Sequence, residues 1–270
     1  FVLALVILLA ISAWAGPQAA VQDKTVKIVL KDGSELVGTV LSEDASSVHF
    51  RTLSGVEMVI AKDKIISREP VEVAGGRVLR LDPNRTRLFV APTARPLRAG
   101  EGYFSVYEVL LPYFAVGLTN FLAVGGGISI VPGAEGQLYY VAPKITPVHG
   151  KNFDLAGGVL YAGGTSSSDH VGIVYGIGTY GTQRAALSVG LGWGFSGEGF
   201  SNKPILMIGG EVQVSGSVKI ITENWIPSGS ETKFLSFGIR LFGRRVAADF
   251  ALVYPTGLDT EGWPLIPFVG

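Results

Sequence analysis

Residues 185–195 read AALSVGLGWGF, and large and small side chains alternate along them. From Leu187 onward, every second position holds a large apolar residue, and the positions between hold only Ser or Gly. The large residues are Leu187, Val189, Leu191, Trp193 and Phe195. Successive side chains of a β-strand point to opposite faces, so the alternation predicts a strand with one bulky apolar face and one face of small residues.

Three further stretches, 171–180, 234–242 and 246–252, follow the same design. A soluble barrel would bury its large residues and carry charge on most outward positions, but the face of small residues holds too few charges for a solvated surface. A transmembrane barrel reverses the arrangement, with apolar residues toward lipid and small or polar residues toward the lumen. The sequence therefore predicts a membrane-spanning barrel whose bulky side chains point outward.

The spacing of the strands predicts about twelve of them in an up-and-down antiparallel order. The predicted strands are 87–93, 102–118, 121–131, 137–146, 152–162, 170–181, 185–195, 203–214, 218–226, 232–242, 245–254 and 263–270. Tight turns alternate with longer loops, as in outer-membrane barrels, where the tight turns face the periplasm. Aromatic residues near strand ends fit interfacial girdles; they are Tyr103, Tyr107, Tyr113, Tyr161, Tyr180, Trp193, Phe195, Trp225, Tyr254 and Trp263.

Charged residues within predicted strands are the candidates for a functional site. A charge that faces lipid at the midplane is unfavourable by about 2 to 4 kcal/mol, so these residues should line the lumen. They are Glu108, Lys144, Asp154, Glu211, Lys219, Glu223, Arg240 and Asp249. Two interpretations follow: a polar lumen that selects a small solute, or a network of ion pairs that plugs a narrow barrel. The mixed signs of charge favour the network.

A smaller unit precedes the barrel. Residues 24–68 alternate as short strands around the turns Asp32-Gly33 and Ser54-Gly55. The stretches DGSELVGTV (32–40) and VHFRTLSG (48–55) resemble the Sm-like or SH3-like small barrels of exported bacterial proteins. Some relatives bind RNA, but balanced charge and a preceding export segment favour a periplasmic module for packing or for interaction with a periplasmic partner.

The remaining segments complete the predicted organisation. Residues 1–20 combine the apolar run FVLALVILLAISAWA with small residues before Gly16, which predicts a signal peptide, a membrane anchor helix being the alternative. Residues 69–86 contain Pro70 and Gly75-Gly76 and are expected to form a linker. The barrel then occupies 87–270, with both ends of the sequence expected to be clipped.

From Arg87 onward the chain resembles bacterial outer-membrane β-barrel proteins of uncharacterised function. The resemblance rests on KPILMIGGEVQVS (203–215), VKIITENW (218–225) and KFLSFGIRLFG (233–243). It implies an outer-membrane location with lipid as the surrounding partner, and either a narrow pore for small solutes or a structural envelope role.

Composition limits the other functional classes. The formal net charge is zero and no basic run occurs, so no nucleic-acid partner is expected. There is no Cys, and nothing predicts a metal or another cofactor. The chain is expected not to be an enzyme, since His49, His149 and His170 have no convincing nucleophile partner. The rival hypotheses are a lipase-like or acyltransferase-like outer-membrane enzyme around Ser166–Asp169 and His170, and a soluble lipocalin-like ligand binder.

Overall fold

The computed structural model describes residues 25–74, 77–257 and 264–270, and in these ranges the chain is all-β apart from a three-residue 3₁₀ turn. The described chain divides into two compact units between Val78 and Leu79. The predicted signal peptide over 1–20 and the predicted girdle residue Trp263 lie outside the described residues. Within the described ranges, no helix has the length and apolarity needed to cross a membrane.

The first unit is built on one antiparallel sheet. Its strands are β1 (Thr25–Leu30), β2 (Glu35–Glu43), β3 (Ser47–Thr52), β4 (Glu57–Ala61), β5 (Ile65–Ala74) and β6 (Arg77–Arg80), in the order β4-β3-β2-β1-β5-β6. The last two residues of β6 already belong to the second unit. The 3₁₀ turn Lys62–Lys64 precedes β5. Alternating apolar residues of β1 meet residues of β3 and β4 in a core of Val26, Ile28, Phe50 and Ile60. Gly33 and Gly55 have positive φ, which explains why glycine occupies these two turns.

The second unit is a nearly closed barrel of twelve antiparallel strands, as the sequence predicts. The strands are β7 (Gly102–Tyr107), β8 (Leu111–Gly117), β9 (Leu122–Ile128), β10 (Leu138–His149), β11 (Phe153–Gly164), β12 (His170–Gly181), β13 (Ala185–Ser196), β14 (Gly199–Ser215), β15 (Val218–Pro227), β16 (Phe234–Phe242), β17 (Ala247–Pro255) and β18 (Ile266–Val269). Each pairs with its neighbours in sequence. At the seam between β7 and β18, the Glu108 amide donates to the Val269 carbonyl over 2.9 Å.

The strand number agrees with the prediction only because two errors offset each other. Residues 87–93 are not a barrel strand but lie inside the barrel, where Leu88 and Phe89 are buried. The predicted strand 102–118 is instead a hairpin, β7 and β8, whose turn contains Glu108 and Val109 at positive φ. Within the predicted linker 69–86, β5 continues to Ala74, β6 covers Arg77–Arg80, and Asp82 is buried in the second unit.

Most of the connections follow the predicted alternation. One end of the barrel has the tight turns 118–121, 150–152, 182–184, 216–217 and 243–246. The opposite end has the longer loops 129–137, 165–169 and 228–233. The predicted long loop 196–202 is instead a two-residue turn, Gly197-Glu198, because β13 and β14 continue outward as an extended hairpin.

The bulky residues of β13 and β16 face outward. Leu187, Val189 and Leu191 are 52%, 42% and 46% exposed, and Phe237 is 62% exposed. On β13 the intervening Ser188 is buried inside. An exterior of large apolar side chains around a charged interior is the reverse of a soluble barrel, and it is the arrangement of a barrel in lipid.

On β12 the prediction that the bulky side chains point outward is wrong. Ile177 is buried, and Tyr175 packs against the interior apolar cluster, so the bulky face of this strand points inward. The register pairs Gly178 with the outward Val189 and Gly176 with the outward Leu191, which places the glycines on the lipid side. The strand turns its large residues inward because the barrel contains apolar material for them to pack against.

Candidate functional site: the barrel interior

A short hairpin fills part of the lumen. Residues 86–93, here called the interior hairpin, are closed by a hydrogen bond from the Thr93 amide to the Thr86 carbonyl, 2.9 Å long. At the tip, the Leu88 amide donates to the Ala91 carbonyl over 2.9 Å. Pro92 has no amide proton and could not continue the ladder of a central strand. The tip residues Leu88, Phe89 and Ala91 pack against inward apolar residues of the wall: Ala156, Ile177, Met207, Ile221, Ala251 and Phe268.

A single carboxylate from the wall holds the tip. Oε2 of Glu223, on β15, accepts hydrogen bonds from the amides of Phe89, Val90 and Ala91 over 2.8, 3.0 and 3.0 Å. Its Oε1 accepts from the Trp225 indole over 2.8 Å. Successive backbone N–H groups form a concavity that suits an anion, and hydrogen bonds to an ionised acceptor are stronger than neutral ones. Glu223 therefore fixes both the position and the conformation of the tip.

Arg240, on β16, joins the wall to the base of the hairpin. Its guanidinium donates to both oxygens of Asp249, from Nε over 2.6 Å and from Nη2 over 2.9 Å. Its Nη1 donates to Asp82 over 3.0 Å. It also donates to the backbone carbonyls of Asn84, Arg87 and Leu88. Arg240 has no exposed surface, so water cannot solvate its guanidinium and these partners must compensate its positive charge.

The other ion pairs extend this cluster across the lumen. Asp249 also accepts from Arg87 Nη1 over 2.7 Å. Lys219 donates to Glu211 over 2.8 Å and lies 3.1 Å from Asp82. Glu211 in turn pairs with Arg95. We refer to these residues as the interior ion network: Asp82, Arg87, Arg95, Glu211, Lys219, Arg240 and Asp249.

The structure places the eight predicted charged residues in five environments. Glu211, Lys219, Arg240 and Asp249 lie in the interior ion network, and Glu223 holds the hairpin tip. Lys144 is buried and donates to the Thr93 and Arg95 carbonyls over 3.0 and 2.9 Å. Asp154 pairs with His149 beside a tight turn, 2.6 Å apart. Glu108 is the exception: it is exposed in the β7–β8 turn, where it accepts from the Val269 amide.

Three network residues were not among the predicted site: Asp82, Arg87 and Arg95. They lie in stretches that the sequence analysis assigned to a linker, a strand and a loop. Two signals could have found them. Residues 77–98 contain six arginines and a single acidic residue, which complements the inward carboxylates of the wall. The same stretch has prolines at 83, 92 and 96, a spacing that central strands do not tolerate.

A cavity of 270 Å³ remains between the interior hairpin and the wall formed by β7 to β12. We call it the tyrosine chamber, since its lining includes Tyr103, Tyr107, Tyr113, Tyr140 and Tyr175. Tyr113 stacks on Tyr140 with ring centroids 6.3 Å apart, and it also contacts Tyr103 and Tyr107. Tyr103, Tyr107 and Tyr113 therefore face the interior, and their assignment to an interfacial girdle is wrong. Trp225, which packs against the interior apolar cluster, is also not a girdle residue.

The serine-rich loop before His170 does not bring a hydroxyl to the imidazole. Ser167 donates to Asp169 over 2.8 Å, while His170 Nδ1 lies 3.4 Å from the Ser168 backbone carbonyl. The His170 ring stacks on Tyr161, with centroids 5.9 Å apart. Among the described residues, no cluster of His, Asp or Glu is arranged to hold a metal ion.

Comparison with known proteins adds one structural match. No family model and no curated protein matches the chain. A solved structure that is similar is OmpTdeltaL8, a loop L8 deletion mutant of OmpT, an outer membrane protein of Vibrio cholerae. The identity is 10%, the TM-score is 0.34, and the alignment covers 92% of this chain and 94% of that chain.

The chain's own geometry defines its class. Twelve antiparallel strands, an apolar exterior and an interior of paired charges are the features of an outer-membrane β-barrel protein. After this structural match, the expectation that the chain is not an enzyme no longer holds. One fold can host transport, structural and catalytic functions, so a barrel does not by itself exclude an enzyme. That expectation was too strong, and we withdraw it.

Proposed function

We propose that this protein is a structural outer-membrane barrel with a closed lumen, which anchors its first unit at the periplasmic face. The observation on which the proposal rests is the interior hairpin held by Glu223. A pore for small solutes needs polar groups free to face the solute. Here the charged groups of β14 to β17 are bonded to the hairpin, to its flanking residues or to each other.

The energetics support a hairpin that stays in place. Each buried charge of the interior ion network would lose its partners if the segment left the lumen. Leaving a buried charge without its partner is unfavourable by about 3 to 5 kcal/mol. Several such charges would be stranded together, so spontaneous release of the hairpin should be rare.

The connections support the orientation. Outer-membrane barrels have their short turns on the periplasmic side. Arg80, at the start of the second unit, lies at the tight turn between β14 and β15, because its amide donates to the Gly216 carbonyl and its own carbonyl accepts from Gln213. This position of Arg80 at a tight turn supports the proposal that the first unit lies in the periplasm.

We infer further that the first unit is an SH3-like or Sm-like module that contacts a periplasmic partner. Its sheet order places β1 between β2 and β5, and the 3₁₀ turn precedes β5, an arrangement that supports a small barrel. Large apolar residues remain exposed on it: Leu53, Val56, Val59 and Ile66 are each more than half exposed. Exposed apolar groups of this kind suit a protein contact.

Conductance in planar bilayers tests the closed lumen. The wild-type chain should give no discrete current steps. Glu223→Ala should produce openings, because the three amides of the hairpin tip lose their acceptor. The matched control is Glu57→Ala, an exposed carboxylate of the first unit, which should remain silent. Regular steps from the wild-type chain, unchanged by Glu223→Ala, would support a pore and contradict the proposal.

A further inference from the structure

The tyrosine chamber combines a wide aromatic wall with unused hydrogen-bond donors. Tyr107, Tyr113 and Tyr140 supply adjoining rings along one side. The remaining wall is largely aliphatic and includes Pro92, Leu97 and Ala142. A concave, mostly apolar site with a few polar groups is the usual form of a small-molecule site.

The chamber opens toward the end of the barrel that has the longer loops. Leu138 and Leu160 both line the chamber, and both lie on inward-facing positions of β10 and β11. Yet Leu138 is 42% exposed and Leu160 is 37% exposed. Solvent therefore reaches the chamber from this end, while the interior hairpin closes the other side.

Two cations that line the chamber have donors to spare. Lys144 is nine-tenths buried and uses two of its three N–H bonds on the Thr93 and Arg95 carbonyls. Among the described residues, it forms no ion pair. The Arg87 Nε is buried and, within the same residues, has no hydrogen-bond partner. Buried donors normally have acceptors. The third N–H of Lys144 and the Nε–H of Arg87 therefore indicate a bound group that supplies acceptor atoms.

We propose that the tyrosine chamber binds a small aromatic carboxylate, with its ring against the tyrosines and its carboxylate toward Lys144 and Arg87. The size is suitable, because an apolar cavity of about 150 Å³ in another protein accepts benzene. A volume of 270 Å³ leaves room for a ring and a carboxylate. The carboxylate also supplies the negative partner that Lys144 lacks. This binding site goes beyond the structural role and does not require an open lumen.

Titration of the full chain in detergent micelles with benzoate tests this inference, with isothermal calorimetry as the readout. Benzoate should bind saturably with a Kd below about 1 mM. Benzamide, which has the same shape without the charge, should bind about tenfold more weakly or worse, and Lys144→Met should weaken benzoate binding to a similar degree. Absence of saturable benzoate binding would overturn the proposal, as would equal affinity for benzamide.

Two further variants locate the site. Ala142→Phe fills the chamber and should abolish benzoate binding, whereas Val141→Phe adds the same group on the neighbouring outward position and should not. Ala162→Leu, also in the lining, replaces Ala142→Phe if that variant does not fold. Heat-modifiable gel migration reports folding of each variant. Full binding by a folded filled variant would place the ligand elsewhere and refute the assignment.

Discussion

Replacing Arg240 with methionine is expected to lower the free energy of unfolding of the barrel by about 3 to 5 kcal/mol. Methionine keeps an unbranched side chain that reaches about as far as the Arg240 Nε, but it removes the guanidinium with its charge and all its donors. Asp249 then loses the partner that contacts both its oxygens, and among the described residues Asp82 keeps Lys219 as its one ion-pair partner. The carbonyls of Asn84, Arg87 and Leu88 lose a donor as well. Urea titration of the micelle-embedded chain, followed by the gel migration of the folded form, measures the change.

The control for this variant is Arg51→Met in the first unit. Arg51 also forms an ion pair at short distance, 2.6 Å from Glu57, but both side chains are about half exposed. Water and salt screen exposed pairs, so this substitution should have little effect on stability. Similar stability of Arg240→Met and wild type would mean that the interior ion network contributes little, and the argument for a fixed hairpin would lose its energetic basis.

The sequence was sufficient to predict the barrel because the information lies in local alternation. Consecutive residues of a strand such as β13 lie on opposite faces. A membrane barrel requires only that one face is large and apolar and that the other is small or polar. The same reasoning predicts that Glu211, Lys219, Glu223, Arg240 and Asp249 point inward. A charge within an apolar strand has few alternatives, since facing lipid is unfavourable.

The interior hairpin could not be found in this way. Leu88-Phe89-Val90-Ala91 is an apolar run of the length of a short strand, and nothing local distinguishes a segment inside the lumen from one in the wall. Its position depends on contacts with residues more than a hundred positions away, such as Glu223 and Arg240. Only its proline and the excess of arginine around it indicate an environment other than the barrel wall.

The wrong prediction for the orientation of β12 also results from the interior hairpin. Alternation reveals that a strand has a bulky face, but it does not reveal where that face points when the interior also contains apolar groups. Ile177 belongs to the same buried cluster as Leu88 and Phe89, so the inserted hairpin creates an inward apolar environment beside this strand. The tyrosines of β7 and β8 face inward in the same way and line the chamber beside the hairpin.

Leu191→Arg gives the most direct test of the membrane assignment. Leu191 lies near the middle of β13 and points outward, with 46% of its surface exposed. If lipid surrounds the barrel, an arginine at this depth should lower the free energy of unfolding of the vesicle-embedded chain by about 2 to 4 kcal/mol. In a soluble barrel the same substitution would place a charge in water, with no loss of stability. Urea-dependent folding of the full chain into phosphatidylcholine vesicles, followed by tryptophan fluorescence, separates the two cases.

Val59→Arg is the matched control, because Val59 is 61% exposed on β4 of the first unit. This site should accept arginine without loss of stability, since that unit is expected to lie in water. The contrast matters more than either value: both substitutions exchange an exposed apolar residue on a strand for the same cation. A penalty at residue 191 but not at residue 59 identifies hydrocarbon around the barrel alone. If arginine is tolerated equally at both sites, the second unit is a soluble barrel. The proposal of an outer-membrane anchor would then have no basis.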